Sequence, residues 1–222
     1  MILEVDSIEL YFKNKPILNG VYLKGETGKI TGLLGRNGSG KSCLLRIIFG
    51  DLKPKYKLIR LNNKPILKPL FTTKKINYLP QYNFITKSLR LKTVFQLFKV
   101  NWFDFLIDFE NFSRYNKTKF GNLSGGEKPI IEIYLILKTP GQIILLDEPF
   151  NGVAPIHITK INNLIHREKK HKIIILTDHR YNEVIDVCDN LYLVKNGCTK
   201  LVDNLKELEV YKYLPKSALL TP

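Results

Sequence analysis

Cysteine is scarce in this sequence: Cys43, Cys188 and Cys198 are the only three in 222 residues. An odd, widely spaced set offers neither a disulfide framework nor zinc-ligand spacing, and it fits a reducing compartment. Long apolar runs are missing too. Charges interrupt them throughout, so no stretch reads as a membrane-spanning helix. The segment Met1–Leu10 lacks a basic region followed by an apolar run and does not read as a secretory signal. Acidic residues are short as well, with 20 Asp plus Glu against 35 Lys plus Arg and a formal charge of +15. That shortage is local. Between Asp51 and Asp104 there is no acid, whereas twelve basic residues run from Lys53 to Lys99. Such a run reads first as a solvated face, with nucleic acid or a membrane surface as the functional readings. What is abundant argues for a packed core: 44% hydrophobic and 11% aromatic residues exclude disorder.

Short apolar runs alternate with helical patterns. Ile30–Leu34, Ile76–Leu79, Ile143–Asp147 and Lys172–Thr177 read as buried strands, and helices are expected near 41–49, 155–168 and 181–187. That rhythm predicts an α/β fold with a mainly parallel sheet covered on both faces. The N-terminal segment to about Leu23 predicts an antiparallel edge of two short strands around Asn14-Lys15-Pro16. Residues from about 84 to 140, rich in Phe and holding Trp102, read as an all-helical insertion in a single domain spanning 1–222. Within it the aromatic stripe from 95 to 112 reads as core rather than a ligand box.

Gly35-Arg36-Asn37-Gly38-Ser39-Gly40-Lys41-Ser42 fits G-x-x-x-x-G-K-[ST] between a predicted strand and a helix that opens at Cys43. Glycines let successive backbone N–H groups curl around phosphate oxygens, and the helix N-terminus adds partial positive charge. Lys41 would reach the β- and γ-phosphates, and Ser42 would ligate Mg²⁺. Downstream, Ile143–Leu146 delivers Asp147 and Glu148 to a strand end. Asp147 there suits a second Mg²⁺ ligand. Glu148, pointing to the other side, suits the residue that orients water or takes its proton. In Leu123-Ser124-Gly125-Gly126-Glu127, Ser124 and Glu127 have capping-box spacing. Two glycines inside a first helical turn would cost stability, so they imply close approach to a second phosphate group.

Together these motifs resemble the ATP-binding-cassette (ABC) transporter ATPases, in order and over nearly the whole chain. The likeness adds Leu79-Pro80-Gln81 as the Q-loop, Pro149–Pro155 as the D-loop region and Thr177-Asp178-His179 as the switch histidine. It implies a P-loop NTPase with an N-terminal antiparallel β subdomain and a short helical insertion. Phe12 falls at the adenine-stacking aromatic and is preferred over Tyr11. Detail in Asp147–Pro155, Thr177–His179 and Val210–Leu214 is similar to the lipopolysaccharide-export and branched-chain amino-acid ATPases. The resemblance implies ATP and Mg²⁺ as cofactors, bound by Gly35–Cys43 of one chain and Ser124, Gly125 and Gly126 of another. Two ATP would lie in a head-to-tail homodimer, or a heterodimer with a related cassette. Glu148 would act as base, His179 would contact the γ-phosphate, and Gln81 would link Mg²⁺ and water to integral membrane subunits. The chain would sit peripherally on the cytoplasmic face of the inner membrane, without touching the transported substrate. The basic stretch would then flank Gln81 on the docking side.

Some positions depart from the family pattern. Ala154 stands where an aspartate is usual, Pro129 predicts a bend in the helix after Ser124, and only 43 positions separate Gln81 from Ser124. The competing readings are a soluble member acting on ribosomes or nucleic acid, which a single cassette without a coiled coil disfavours, and a degenerate regulator. Retention of Lys41, Glu148 and His179 disfavours the latter.

Overall fold

The computed structural model describes residues 1–215. The chain begins with a hairpin, β1 (Ile2–Phe12) and β2 (Lys15–Glu26). Lys13 and Asn14 both take positive φ at its turn, the backbone twist that a two-residue hairpin loop requires. These strands, of 11 and 12 residues, are far longer than the two short pieces expected: Leu3, Val5, Ile8 and Leu10 on β1 and Leu18, Val21 and Leu23 on β2 are buried on one face, the alternation slipping where the pairing shifts register between Val5 and Ile8. After β3 (Ile30–Leu34) and α1 (Lys41–Phe49), β4 (Tyr56–Leu61) and β5 (Lys64–Pro65) complete an antiparallel sheet of order β2-β1-β4-β5.

A second sheet carries the chemistry. It is formed by β3, β6 (Ile76–Leu79), β7 (Ile143–Asp147), β8 (Ile173–Thr177), β9 (Asn190–Lys195) and β10 (Cys198–Val202), in the order β10-β9-β3-β8-β7-β6. All neighbours are parallel except β9 and β10. Every residue of β3, β7 and β8 is buried, as expected for central strands covered on both faces. The carboxyl ends of β3, β6, β7 and β8 therefore share one edge, which brings Gly35, Gln81, Asp147 and His179 together from positions 144 residues apart in the chain.

Between β6 and β7 the chain forms α2 (Leu91–Leu97), α3 (Trp102–Asp108) and α4 (Glu127–Lys138), with 3₁₀ turns at Glu110–Tyr115 and Phe120–Asn122. This region is not all helical. Residues 87–92 pair with 116–121 through Leu91 N–H to Thr118 O, Phe120 N–H to Leu89 O and Gly121 N–H to Lys87 O, which satisfies backbone that no helix covers. The aromatic stripe is core except at Phe103, which is exposed: Phe95, Phe105, Phe109 and Phe112 are buried, with Trp102 edge-on to Phe95 at 4.8 Å between centroids. The bend expected at Pro129 is not required by its position in α4. The helix starts at Glu127, so Pro129 lies in the first turn, where its missing N–H needs no partner. Three helices follow: α5 (Pro155–Glu168), α6 (Tyr181–Val187) and α7 (Lys206–Val210). Ala154, the departure before α5, stands at its N-cap without a side-chain hydrogen bond.

The twelve basic residues divide between regions rather than all flanking Gln81. Lys57, Arg60 and Lys64 lie on β4 and β5, whereas Lys68, Lys74 and Lys75 surround the 3₁₀ turn Leu70–Thr73 before β6. Arg60 is paired with Glu4 and Asp6; the other eleven are exposed.

Glu132 on α4 is 3% exposed and accepts hydrogen bonds from the backbone N–H groups of Phe84 (2.9 Å) and Ile85 (3.2 Å). Burial pushes its carboxyl from 4.5 to about 7, against those two N–H groups and Lys128, which pull it down. Between these values the folded chain keeps a proton that the unfolded chain releases. This stabilising contribution is present at low pH and is lost as pH rises towards 7, with a span of about 3 kcal/mol. Glu132→Gln is thus expected to match wild-type stability near pH 5 and to melt several degrees higher at pH 8.5. Thermal unfolding at both pH values checks this, and a constant gap would contradict it.

Candidate functional site

The turn leaving β3 is built from close approaches. A Cβ on Gly35 would meet Ser39 Oγ at 2.6 Å and the Val194 carbonyl at 2.8 Å. Gly40 caps α1 at φ 101, where a Cβ would meet Leu18 Cδ2 at 2.7 Å. These constraints curl the loop over the N-terminus of α1, whose first-turn N–H groups have no helical partner. The loop borders a 670 Å³ cavity lined by Phe12, Ile17, Asn37–Cys43, Gln81, Glu148 and His179. Phe12 is half exposed at its rim, while Tyr11 lines a different depression with Lys53 and Lys55. Arg36 turns away from this cavity, and its guanidinium donates to the Lys212 carbonyl (3.2 Å).

Lys41 is buried, and its ammonium donates to the carbonyls of Gly35 (2.7 Å) and Arg36 (3.2 Å). Burial lowers its pKa, opposed by Glu148, Asp147 and Asp178. Ser42 Oγ donates to Asp147 (3.0 Å), whose second oxygen accepts from the Tyr78 hydroxyl (3.0 Å). Asp147 is raised above the usual carboxylate range by burial, against both of these bonds and Lys41. Tyr78, on β6, is a partner of Asp147 that the motifs do not include. Only the β6–β7 pairing brings it to Asp147, 69 positions away, and no local pattern announces it.

Glu148 occupies left-handed backbone, φ 54, which is uncommon for a side chain without a special constraint. Here its N–H donates to the Thr177 carbonyl (2.7 Å). Buried Asp178 adds a second staple, accepting from the N–H groups of Phe150 (2.9 Å) and Arg180 (2.9 Å). The loops after β7 and β8 are thereby locked together. Glu148 Oε2 then accepts from the Gln81 amide (2.8 Å) and lies 3.4 Å from His179 Nδ1. Asp178 was legible only as part of a triplet; its stapling role needs both strand ends in view.

Ser124, Gly125 and Gly126 do not line this cavity. Ser124 N–H donates to Glu127 (2.7 Å) and Glu127 N–H to Ser124 Oγ (3.3 Å), a complete capping box. The glycines precede Glu127, the first residue of α4, but Gly126 already holds helical backbone and Lys128 N–H donates to the Ser124 carbonyl (3.3 Å), so the first turn expected over them is partly formed. A Cβ on Gly125 would meet nothing within 4 Å, and one on Gly126 only the Gly152 carbonyl at 3.4 Å. Neither is forced to be glycine by strong crowding within its own chain.

The oxygen set Ser42, Asp147 and Gln81 fits a hard divalent cation shared with phosphates, as magnesium is commonly held. Among the described residues no group of three or more His, Cys, Asp or Glu forms a rival metal site.

Comparison with known proteins matches residues 18–151, more than half of the chain, to the family described as ABC transporter. A lipopolysaccharide export system ATP-binding protein, LptB, of Haemophilus influenzae is 31% identical over 211 residues, covering 88% of each chain. A Methanocaldococcus jannaschii protein named as a branched-chain amino acid transport ATP-binding protein, LivG, is 29% identical, over 88% of this chain and 87% of its own. The crystal structure of a nucleotide-free ATP-binding cassette from an ABC transporter superposes with a TM-score of 0.79 at 27% identity, covering 100% of this chain and 99% of that one. By its motifs, its fold and these matches, the chain belongs to the ABC transporter family, as an ATP-binding, ATP-hydrolysing cassette.

Proposed function

We propose that this cassette powers a membrane transporter by closing, with a second cassette, around two ATP molecules. The observation that carries this reading is the incompleteness of the site. One cavity gathers the phosphate loop, Gln81, Glu148 and His179, while the capped turn Ser124–Gly126 stands outside it with room beside its glycines. A second copy, or a related cassette, would bring its own Ser124–Gly126 against the γ-phosphate. Phe12 would stack on adenine, and Gly35–Cys43 would cradle the phosphates. Ser42, Asp147 and Gln81 would hold Mg²⁺, which when bound neutralises phosphate charge. Glu148 takes a proton from water as the water oxygen bonds to the γ-phosphorus and the bond to ADP breaks, with His179 beside the phosphate. Positioning and charge stabilisation supply most of the acceleration.

The membrane subunits would dock near the Q-loop. Phe71, Lys74, Leu97, Phe98 and Lys99 line a 500 Å³ groove between the 3₁₀ turn before β6 and the end of α2. The apolar floor suits a short partner helix. The surrounding lysines suit acidic segments or anionic headgroups, at about 1 kcal/mol for each one near the surface. No helix among the described residues is long and apolar enough to cross a membrane. By its likeness to transporter ATP-binding subunits, the cassette would attach peripherally, on the cytoplasmic face. Affinity purification from detergent-solubilised membranes is expected to bring down integral membrane subunits. Recovery of ribosomes or nucleic acid in their place would overturn the transporter reading.

A further inference from the structure

Three carboxylates are buried among the described residues, and the site described above uses two of them, Asp147 and Asp178. Glu132 is the third. One of its oxygens takes both the Phe84 and Ile85 N–H groups, three and four residues beyond Gln81. Glu132 also borders a 60 Å³ cavity whose other walls include Gln81, Pro129, Glu148 and Asn151. Eight residues upstream stands Ser124, whose capping box with Glu127 opens the same helix. The chain leaving Gln81 is therefore fastened to the helix that presents Ser124–Gly126, within reach of the carboxylate that Gln81 holds.

We propose that Glu132 is a positioning residue for ATP hydrolysis: by holding Phe84 and Ile85 to α4, it fixes Gln81 against Glu148 and makes the Q-loop move with Ser124–Gly126. This rests on the roles given above to Gln81 and Glu148. A carboxylate suits the task because it only accepts, and one oxygen can take two converging N–H groups through charge-assisted bonds. An amide keeps the shape and an accepting oxygen but loosens the tie. The groups facing Glu132 are Lys128 on its own helix, the two N–H groups of the loop, and Gln81 and Glu148 across the cavity. With a pKa raised to about 7, the carboxylate is mainly ionised at pH 8, where the tie is tested.

The test is a double-mutant cycle on the full chain, measured as steady-state ATP hydrolysis with Mg²⁺ at pH 8. Glu132→Gln is expected to lower kcat about five-fold and keep KM for ATP within about two-fold, since the phosphate cradle is untouched. In a Gln81→Ala background the same change is expected to cost less than about two-fold, because nothing remains to be positioned. The isosteric variant should also be the more stable protein at this pH, so slower turnover cannot come from a weakened fold. Unchanged kcat, or an equal loss in both backgrounds, would overturn the role of Glu132 alone. Full turnover by Gln81→Ala would overturn the Gln81 role and this proposal with it.

Discussion

Glu148→Gln is expected to cut ATP turnover by about 10²–10³-fold while leaving ATP affinity within about two-fold, and to trap an ATP-bound dimer. General-base catalysis commonly contributes about 10²–10⁴-fold, and the amide removes the base without changing its shape. Glu148 Oε2 is held by the Gln81 amide at 2.8 Å, with His179 Nδ1 at 3.4 Å, and the backbone beneath it is locked through Thr177. The phosphate loop makes no hydrogen bond to Glu148, so binding should survive. With hydrolysis blocked, the proposed pair of cassettes should keep its ATP and persist. Nucleotide titration, single-turnover hydrolysis and light scattering during gel filtration check the three parts. A monomer at saturating ATP and Mg²⁺ would sink the two-cassette model, and undiminished turnover would sink the assignment of the base.

Much of the sheet was legible because its central strands are short, wholly apolar and bounded by turns. Ile30–Leu34, Ile76–Leu79 and Ile143–Asp147 fall where their patterns predict, and β8 starts one residue later than expected. Helices α1, α5 and α6 likewise follow local periodicity. The partly exposed strands were harder. In β4, Tyr56-Lys-Leu-Ile-Arg-Leu61 lies inside the basic stretch, and its pairing with β1 is set by residues more than 45 positions away. The aromatics between about 84 and 140 suggest helix throughout, but a pairing between residues 87–92 and 116–121 overrides that preference in its first part.

The site divides in the same way. Lys41, Ser42, Asp147 and Glu148 sit in contiguous motifs whose chemistry can be read from residue types alone. Tyr78, Asp178 and Glu132 act through bonds spanning 69, 28 and 48 positions, and each looks like an ordinary strand, loop or helix residue in isolation. What the sequence hides is the layer that orients the reacting groups. That layer also explains a non-glycine residue at positive φ: Glu148 is held there by Thr177 and Asp178 from the neighbouring strand end, a constraint no local pattern encodes.

Lys41→Ala is expected to weaken ATP binding by at least about 30-fold, equivalent to about 2 kcal/mol for one lost charge-assisted hydrogen bond. In this structure the ammonium is stored on the carbonyls of Gly35 and Arg36, buried beneath the loop. Both acceptors are neutral, so a phosphate oxygen in the cradle offers a better partner and the side chain need only swing along its own loop. The exchange also offsets the effect of burial that lowers the Lys41 pKa, because a phosphate anion favours the charged form. Alanine removes the one Lys or Arg side chain that lines the cavity among the described residues and leaves the phosphates without an ammonium partner; the helix N-terminus that remains contributes roughly 1–2 kcal/mol. Arginine should not restore affinity, since a longer planar fork does not reproduce the point-charge contact that buried Lys41 makes beneath its own loop. Calorimetric titration with ATP and Mg²⁺ measures the loss, and melting curves with and without nucleotide report whether the variants remain folded. Wild-type affinity in Lys41→Ala would remove the phosphate cradle from the site, and with it the premise that Glu148 faces a γ-phosphate.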